Sequence, residues 1–367
     1  MPETSGNVGA DRHGASAAKF RVAQLHQGAG ASRARRGLRV CYFGTRVATT
    51  TMTSLMTFQT PPAPLAQREI ERVVRAALDE DAAGDDVTTR WTVPAEAVAR
   101  AEILFRQGGV VAGSSVIQAT FAALDHRIEF VSYAEDGSTA ESGTVVASVK
   151  GPARAILTAE RVALNFLQRM SGIATTTAAY VRAVEGTGVQ IYDTRKTAPG
   201  LRLIDKYSVE LGGGKNYRKN LSAMALIKEN HIRAAGGVVE AIQRARAGMK
   251  RDHHEVKLDV EVQTLDEFEA ALRAGAEWIM LDNMVPEQLR SAATRARGVG
   301  PNRPILEASG NVSLETVRTV AETGVDLISI GRLTHSAPAL DVSLLVRELV
   351  SPAGRAPQSE PVHAMQA

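Results

Sequence analysis

From residue 189 to residue 330 the chain alternates six short β-type runs with helical stretches, and no other feature restricts its fold as much. The β-type runs fall at 189–192, 225–227, 256–260, 278–281, 304–307 and 326–330. Helical periodicity lies between them at 201–211, 238–247, 265–274, 286–297 and 314–322. Strands and helices in regular succession pack as parallel βαβ units, because a parallel neighbour is reached only by a crossover. Six such units without a G-x-G-x-x-G turn predict a barrel and not a dinucleotide-binding sheet.

The preceding part has another texture. Residues 65–80 place Ile70, Val73, Val74, Ala77 and Leu78 on one helical face. Short strand-like runs follow at 101–105, 127–131 and 144–149, separated by glycine turns, with one helix at 114–124. This predicts an α+β domain with a small antiparallel sheet. Thr158 reads as an N-cap, with two helices after it at 159–170 and 175–184.

Charge separates the body from its N-terminal extension. Of 43 Lys/Arg and 40 Asp/Glu in 367 residues, eight basic and two acidic residues fall within residues 1–56. The remainder is mildly acidic and poor in aromatics, which argues against a nucleic-acid surface. Residues 1–60 read as a disordered or mis-started extension, since Met52 and Met56 precede the first ordered-looking segment. Their Ala/Gly/Ser/Arg-rich, acid-poor composition is also that of a targeting segment. Residues 351–367 read as a disordered tail. Cys41 is the single cysteine, so one monomer has no disulfide, as befits a reducing cytoplasm. No apolar run approaches the length of a membrane span.

The β-type runs end on chemistry. Within a few residues of their C-terminal ends stand Arg195 and Lys196, Lys228, Glu261, Asp282, Ser309 with Gly310, and Gly331. In (β/α) barrels these ends build the active site. Arg195, Lys196, Lys215, Arg218, Lys219 and Lys228 surround the turn Gly212-Gly213-Gly214 and read as a pocket for a small polyanion. Arginine holds a planar dicarboxylate bidentately. Glu261 and Asp282 beside these cations suggest a Mg²⁺ held also by substrate phosphates. Ser309-Gly310-Asn311 and Gly331 would let backbone N–H groups approach a phosphate. With no nucleophile and base pair in view, the pattern favours a dissociative displacement supported by electrostatics. Asp282-Asn283 also reads as a cap for the following helix, Gly212-Gly213-Gly214 as a helix C-cap, and His335 as an ordinary loop histidine.

The segments DTRKTAPGLR, KYSVELGGGKNYRKNLSAMALIKENHI, EVQT, MLDNM, EASGNV and ISIGRLTHSAPALD, with GDDVTT and ERVALNFLQRMSGIAT upstream, resemble the quinolinate phosphoribosyltransferase family. The resemblance covers roughly residues 65–349. It implies an α/β fold in which an N-terminal α+β open sandwich (65–170, with 336–350 returning to it) packs on an incomplete (β/α) barrel (171–335) of the type II phosphoribosyltransferases. It implies phosphoribosyl transfer from phosphoribosyl pyrophosphate to quinolinate with decarboxylation. Same-fold alternatives act on another acid, such as nicotinate, or belong with barrel proteins of molybdenum-transport operons. A non-catalytic phosphate-binding barrel is a further alternative. By motif, Arg195, Arg218 and Lys228 would hold the dicarboxylate and Lys196 would face the pyrophosphate. Glu261 and Asp282 would bind ribose hydroxyls and Mg²⁺. Lys196, Glu261 and Asp282 form the expected catalytic set. Ser309, Gly310, Gly331 and His335 would hold phosphate, and Thr194 and Asn311 would also bind substrate. Arg161 would enter a neighbouring subunit's site, making a dimer the minimum unit and leaving dimer or hexamer open. The family commonly has Asn-His-Arg after the triple glycine. Here it is Asn216-Tyr217-Arg218, and Tyr217 can donate a hydrogen bond to a carboxylate but carries no positive charge near neutral pH. Lys215 and Lys219 stand ready to compensate.

Overall fold

The computed structural model describes residues 62–350, so expectations for the two termini lie outside the described residues. The first element is the helix α1 (Gln67–Glu80), whose Ile70, Val73 and Val74 face the core at helical spacing. After the short helix α2 (Val87–Thr92), capped by the Asp86 carboxylate at 2.9 Å from the Thr89 N–H, the chain enters a sheet. Its elements are β1 (Val98–Phe105), β2 (Gly109–Val110), α3 (Ser114–Leu124), β3 (Glu129–Ser132), β4 (Thr139–Ala140) and β5 (Val145–Pro152). β1, β3 and β5 join an antiparallel sheet, while β2 and β4 form a separate two-stranded pair.

A 31-residue helix, α4 (Ala153–Ala183), follows. This corrects the two-helix expectation and its cap. The N-cap is Pro152, and Thr158 lies inside the helix with its hydroxyl donating to Asp86 Oδ2 at 2.8 Å. Ser171-Gly172 looks like a break in the sequence, but Gly172 is required by packing: the Pro338 backbone occupies the space a Cβ would fill. The helix lends Val162, Leu167 and Met170 to the core of the first sheet and Ile173 and Tyr180 to the next core.

Beyond α4 the alternation predicted from sequence is realised. β6 (Gln190–Tyr192), α5 (Arg202–Leu211), β7 (Ala225–Ile227), α6 (Glu229–Ala235), α7 (Val238–Arg251), β8 (Leu258–Val262), α8 (Leu265–Arg273), β9 (Trp278–Asp282), α9 (Pro286–Gly298), β10 (Ile305–Ser309), α10 (Val317–Ala321) and β11 (Leu327–Ser329) come in turn. All six strands are parallel, in the order β6-β11-β10-β9-β8-β7. β6 and β7 do not pair, so the barrel is open. At the free side of β6 the chain after the triple glycine makes one bridge, Lys215 to Tyr192. The last elements are α11 (Arg332–His335) and β12 (Val342–Val350), which pairs with β1 antiparallel.

The strands separate two environments by residue parity. Val260, Val262, Ile279, Leu281, Leu306, Ala308 and Ile328 pack outward beneath the helices, against residues such as Phe268, Leu289 and Val317. Each buried Val, Leu or Ile side chain among them contributes about 1.5–3 kcal/mol. The alternate positions face inward, where Leu226, Trp278, Met280 and Leu327 gather with Tyr217 and Met224. Asp259 and Glu307 share that inward face by register, Asp259 opposite Trp278 and Glu307 opposite Met280.

Candidate active site

The C-terminal strand ends converge on a cleft of about 570 Å³. Thr194, Arg195 and Lys196 line it after β6, Lys228 after β7, Glu261 on β8, Asp282 on β9, and Ser309, Gly310 and Asn311 at the end of β10. Tyr217 and Arg218 enter from the segment beyond the triple glycine. That segment can pass because Gly214 lies between two helices. A Cβ there would stand 2.7 Å from both Thr177 Cγ2 and Val209 Cγ1, and Gly213 takes a left-handed φ of 86°. Gly212 is also the C-cap of α5, as the C-cap reading of the glycines expects.

Two guanidiniums dominate the electrostatics. The Nε atoms of Arg195 and Arg218 are buried and without a hydrogen-bond partner among the described residues. Burial, with the nearby Arg195 charge, lowers Arg218 below its ordinary value. Arg218 Nη1 donates to the Met224 carbonyl at 3.0 Å, and the two buried N–H donors left without an acceptor call for an anion. Lys228 is instead paired with the Glu261 carboxylate, so an incoming carboxylate would compete for its ammonium. Asp282 accepts from Asn283 Nδ2 at 3.0 Å, and Asn311 donates to Asn283 Oδ1 at 3.0 Å. Asn283 and Asn311 both have positive φ, 55° and 49°, as short polar side chains tolerate. The cap of α9 is Val285, so Asp282 is free of the capping role.

Gly331 and His335 lie at the margin of this constellation, outside the cleft lining. A Cβ on Gly331 would meet Lys196 Cδ at 2.9 Å and His335 Nε2 at 3.1 Å, which places these three groups together. Arg161 is exposed on α4 and does not line the cleft. Two expected cations fall away. Lys215 borders a different cleft with Val181 and Gln190, and Lys219 is exposed, its carbonyl accepting from Arg202. Tyr217 also departs from expectation: it is buried, and its hydroxyl donates to Asp259, not to the open cleft.

Sequence reasoning missed the floor of the cleft, which includes Glu307, Met280, Asn283, Leu226 and Ser329. Glu307 and Ser329 stand two residues before the expected Ser309 and Gly331, and strand parity could have found them. Glu307 is fully buried and accepts from Trp278 Nε1 at 2.9 Å. Burial, with the nearby Asp259 charge, holds its carboxyl well above the usual range. Burial likewise pushes Asp259 up to about 7.

Among the described residues no group of three or more His, Cys, Asp or Glu is arranged to hold a metal ion. Glu261 and Asp282 are the partly exposed acids of the cleft. Two carboxylates, one already shared with a lysine, fit a Mg²⁺ carried mainly by oxygens of a phosphorylated substrate. No helix among the described residues is long and apolar enough to cross a membrane.

An open (β/α) barrel whose strand ends meet in a cation-lined, acid-floored cleft defines an α/β-barrel enzyme acting on anionic substrates. Residues 86–171 match the model of the quinolinate phosphoribosyl transferase N-terminal domain and residues 173–345 that of its C-terminal domain. The chain belongs to the quinolinate phosphoribosyltransferase family. It is 43% identical over 276 residues to nicotinate-nucleotide pyrophosphorylase (carboxylating) of Mycobacterium leprae, covering 74% of this chain and 95% of that protein. It is 40% identical over 304 residues to mitochondrial quinolinate phosphoribosyltransferase (decarboxylating) 2 of Nicotiana glauca, covering 78% and 85%. The crystal structure of NadC from Streptococcus pyogenes superposes with a TM-score of 0.72 at 39% identity, covering 79% of this chain and 99% of that one.

Proposed function

We propose that this protein transfers the phosphoribosyl group of phosphoribosyl pyrophosphate to quinolinate and releases pyrophosphate and CO₂, giving nicotinate mononucleotide for NAD synthesis. The observation that carries this reading is the pair Arg195 and Arg218, two half-buried arginines on one cleft whose Nε atoms are buried and unpartnered among the described residues. A pyridine dicarboxylate supplies two adjacent anions, whereas a monocarboxylate would satisfy only one. The family membership and the named relatives support the same substrate.

The cleft divides the work between its two sides. Arg195 and Arg218, with Lys228, hold the carboxylates and aim the ring nitrogen at the ribosyl carbon. Lys196 faces the pyrophosphate, and Glu261 and Asp282 hold the ribose hydroxyls. Backbone N–H groups around Ser309, Gly310 and Asn311, with Gly331 and His335, receive phosphate. Mg²⁺, when bound, neutralises the leaving pyrophosphate. The bond from the ribosyl carbon to pyrophosphate breaks as the bond to the ring nitrogen forms. Cationic charge that develops on the ribose is stabilised by Glu261 and Asp282. Loss of CO₂ then leaves an electron pair on the ring carbon, which takes a proton. Arg161, exposed on α4, would complete the site of a second subunit, making a dimer the working unit in the cytoplasm.

The test is incubation with quinolinate, phosphoribosyl pyrophosphate and Mg²⁺, with detection of nicotinate mononucleotide and CO₂. Turnover with nicotinate but none with quinolinate would sink this reading.

A further inference from the structure

We infer that Lys206 is a positioning residue for recognition of the dicarboxylate: its ammonium joins the two chain segments that carry Arg195 and Arg218 and sets the distance between their guanidiniums. The inference rests on reading the cleft as a quinolinate site. Lys206 lies on α5 and is 1% exposed, and Asp193, at the end of β6, is 0% exposed. The Lys206 Nζ donates to Asp193 Oδ1 at 2.5 Å and to the Tyr217 carbonyl at 3.2 Å. The Tyr217 N–H donates to the same Asp193 oxygen at 2.8 Å. Three groups from three segments thus meet at one node. Asp193 stands two residues before Arg195, and Tyr217 immediately precedes Arg218.

The node is needed because the barrel is open at this side. The segment leading to Arg218 is not a strand of the sheet. Beside the node, it is held by its single bridge to β6 and by the Tyr217 hydroxyl on Asp259. The loop from Asp193 to Ala198 is tied at its far end by the neighbouring residue on α5. Asp205 accepts from Ala198 N at 3.1 Å and from both Arg169 Nε and a terminal nitrogen of Arg169 at 2.8 Å. Consecutive buried residues of one helix therefore pin both ends of the loop that bears Arg195 and Lys196.

Stability alone does not account for such a pair. Burial pushes the Asp193 carboxyl up to about 6 and the Lys206 ammonium below its ordinary value, each against the attraction of the other. Well-packed apolar side chains in place of a buried ion pair are often as stable or more so. What the charged pair adds here is a fixed geometry, since an ammonium can join a carboxylate and a carbonyl at once and an apolar side chain cannot.

Calorimetric titration of quinolinate, nicotinate and phosphoribosyl pyrophosphate separates the two roles. The proteins compared are wild type, Lys206→Met, and Lys206→Met combined with Asp193→Asn. The double variant leaves no orphan buried charge, so it stays folded where the single one fails. Phe268→Leu, a core change away from the cleft, serves as the comparator for lost stability. In the folded Lys206 variants quinolinate should weaken about tenfold or more, the loss of roughly one charge-assisted contact. Nicotinate and phosphoribosyl pyrophosphate should change about twofold or less, so the preference for the dicarboxylate collapses. Phe268→Leu should keep that preference. A folded double variant that retains the wild-type preference overturns the inference, as does an equal collapse in Phe268→Leu. Wild type showing no preference for quinolinate would refute the functional reading itself.

Discussion

The hydroxyl of Tyr217 donates to the buried carboxyl of Asp259 across the barrel interior, joining the segment after the triple glycine to β8. The Tyr217 ring meets Trp278 edge-on at 5.9 Å, which fixes the hydroxyl's direction. The other Asp259 oxygen has no side-chain or backbone partner among the described residues. Tyr217→Phe would leave the carboxyl without its side-chain donor. Stability should fall by about 1–3 kcal/mol, the cost of an unsatisfied buried polar group. Urea denaturation followed by tryptophan fluorescence measures it. A change within experimental error would show that the bond contributes nothing net.

Arg195 and Arg218 are each expected to pair with a carboxylate of quinolinate. Arg195→Ala or Arg218→Ala should raise the KM for quinolinate by about 10- to 100-fold, as the loss of a hydrogen bond between charged groups predicts. The KM for phosphoribosyl pyrophosphate should change far less. Steady-state kinetics with each substrate varied in turn decides this, and equal losses for both would mean that the arginines serve another part of the site.

Arg161 stands apart from the cleft of its own chain, so the role proposed for it would need a second copy. Arg161→Ala and Lys228→Ala should each be inactive as purified. Mixed under conditions of demonstrated subunit exchange, they should recover part of the activity, because hybrid assemblies hold one site with neither substitution. No recovery would place Arg161 outside the chemistry.

The buried acids make stability depend on pH. Burial raises Asp259 from 3.8 to about 7 and holds Glu307 above its ordinary 4.5. The folded chain therefore binds protons at these sites more tightly than the unfolded chain. Their contribution is fully present below the unfolded values and is lost as pH rises through the folded values. Glu307→Gln keeps an acceptor for the Trp278 indole and removes one titration. Its stability should fall less steeply than that of wild type as pH rises above about 4.5. Denaturation curves at a series of pH values test this, and parallel profiles would show that Glu307 keeps a near-normal affinity for its proton.

Much of the barrel was legible because its signals are local. The run at 225–227 became β7 without change, and the other five β-type runs moved by one or two residues. The strand-end part of the cleft lining (Thr194, Arg195, Lys196, Lys228, Glu261, Asp282, Ser309 and Gly310) followed, because a polar residue ending a parallel strand has one place to go. The helix α4 was misread where Ser171-Gly172 imitates a break. A close approach by Pro338, 166 positions further along the chain, gives Gly172 its reason.

Residue order alone therefore determined the alternation and the charges at the strand ends, both of which depend on neighbours a few positions apart. The reach of the long side chains was decided only in three dimensions. Lys215 and Lys206 are both lysines near the same triple glycine, yet one is exposed beside another cleft and the other is buried against Asp193. Tyr217, a candidate donor to substrate, is bonded to an acid 42 residues away. Such outcomes follow from which segments the open side of the barrel brings together, and a buried charge or hydroxyl must satisfy itself with whatever group that packing presents.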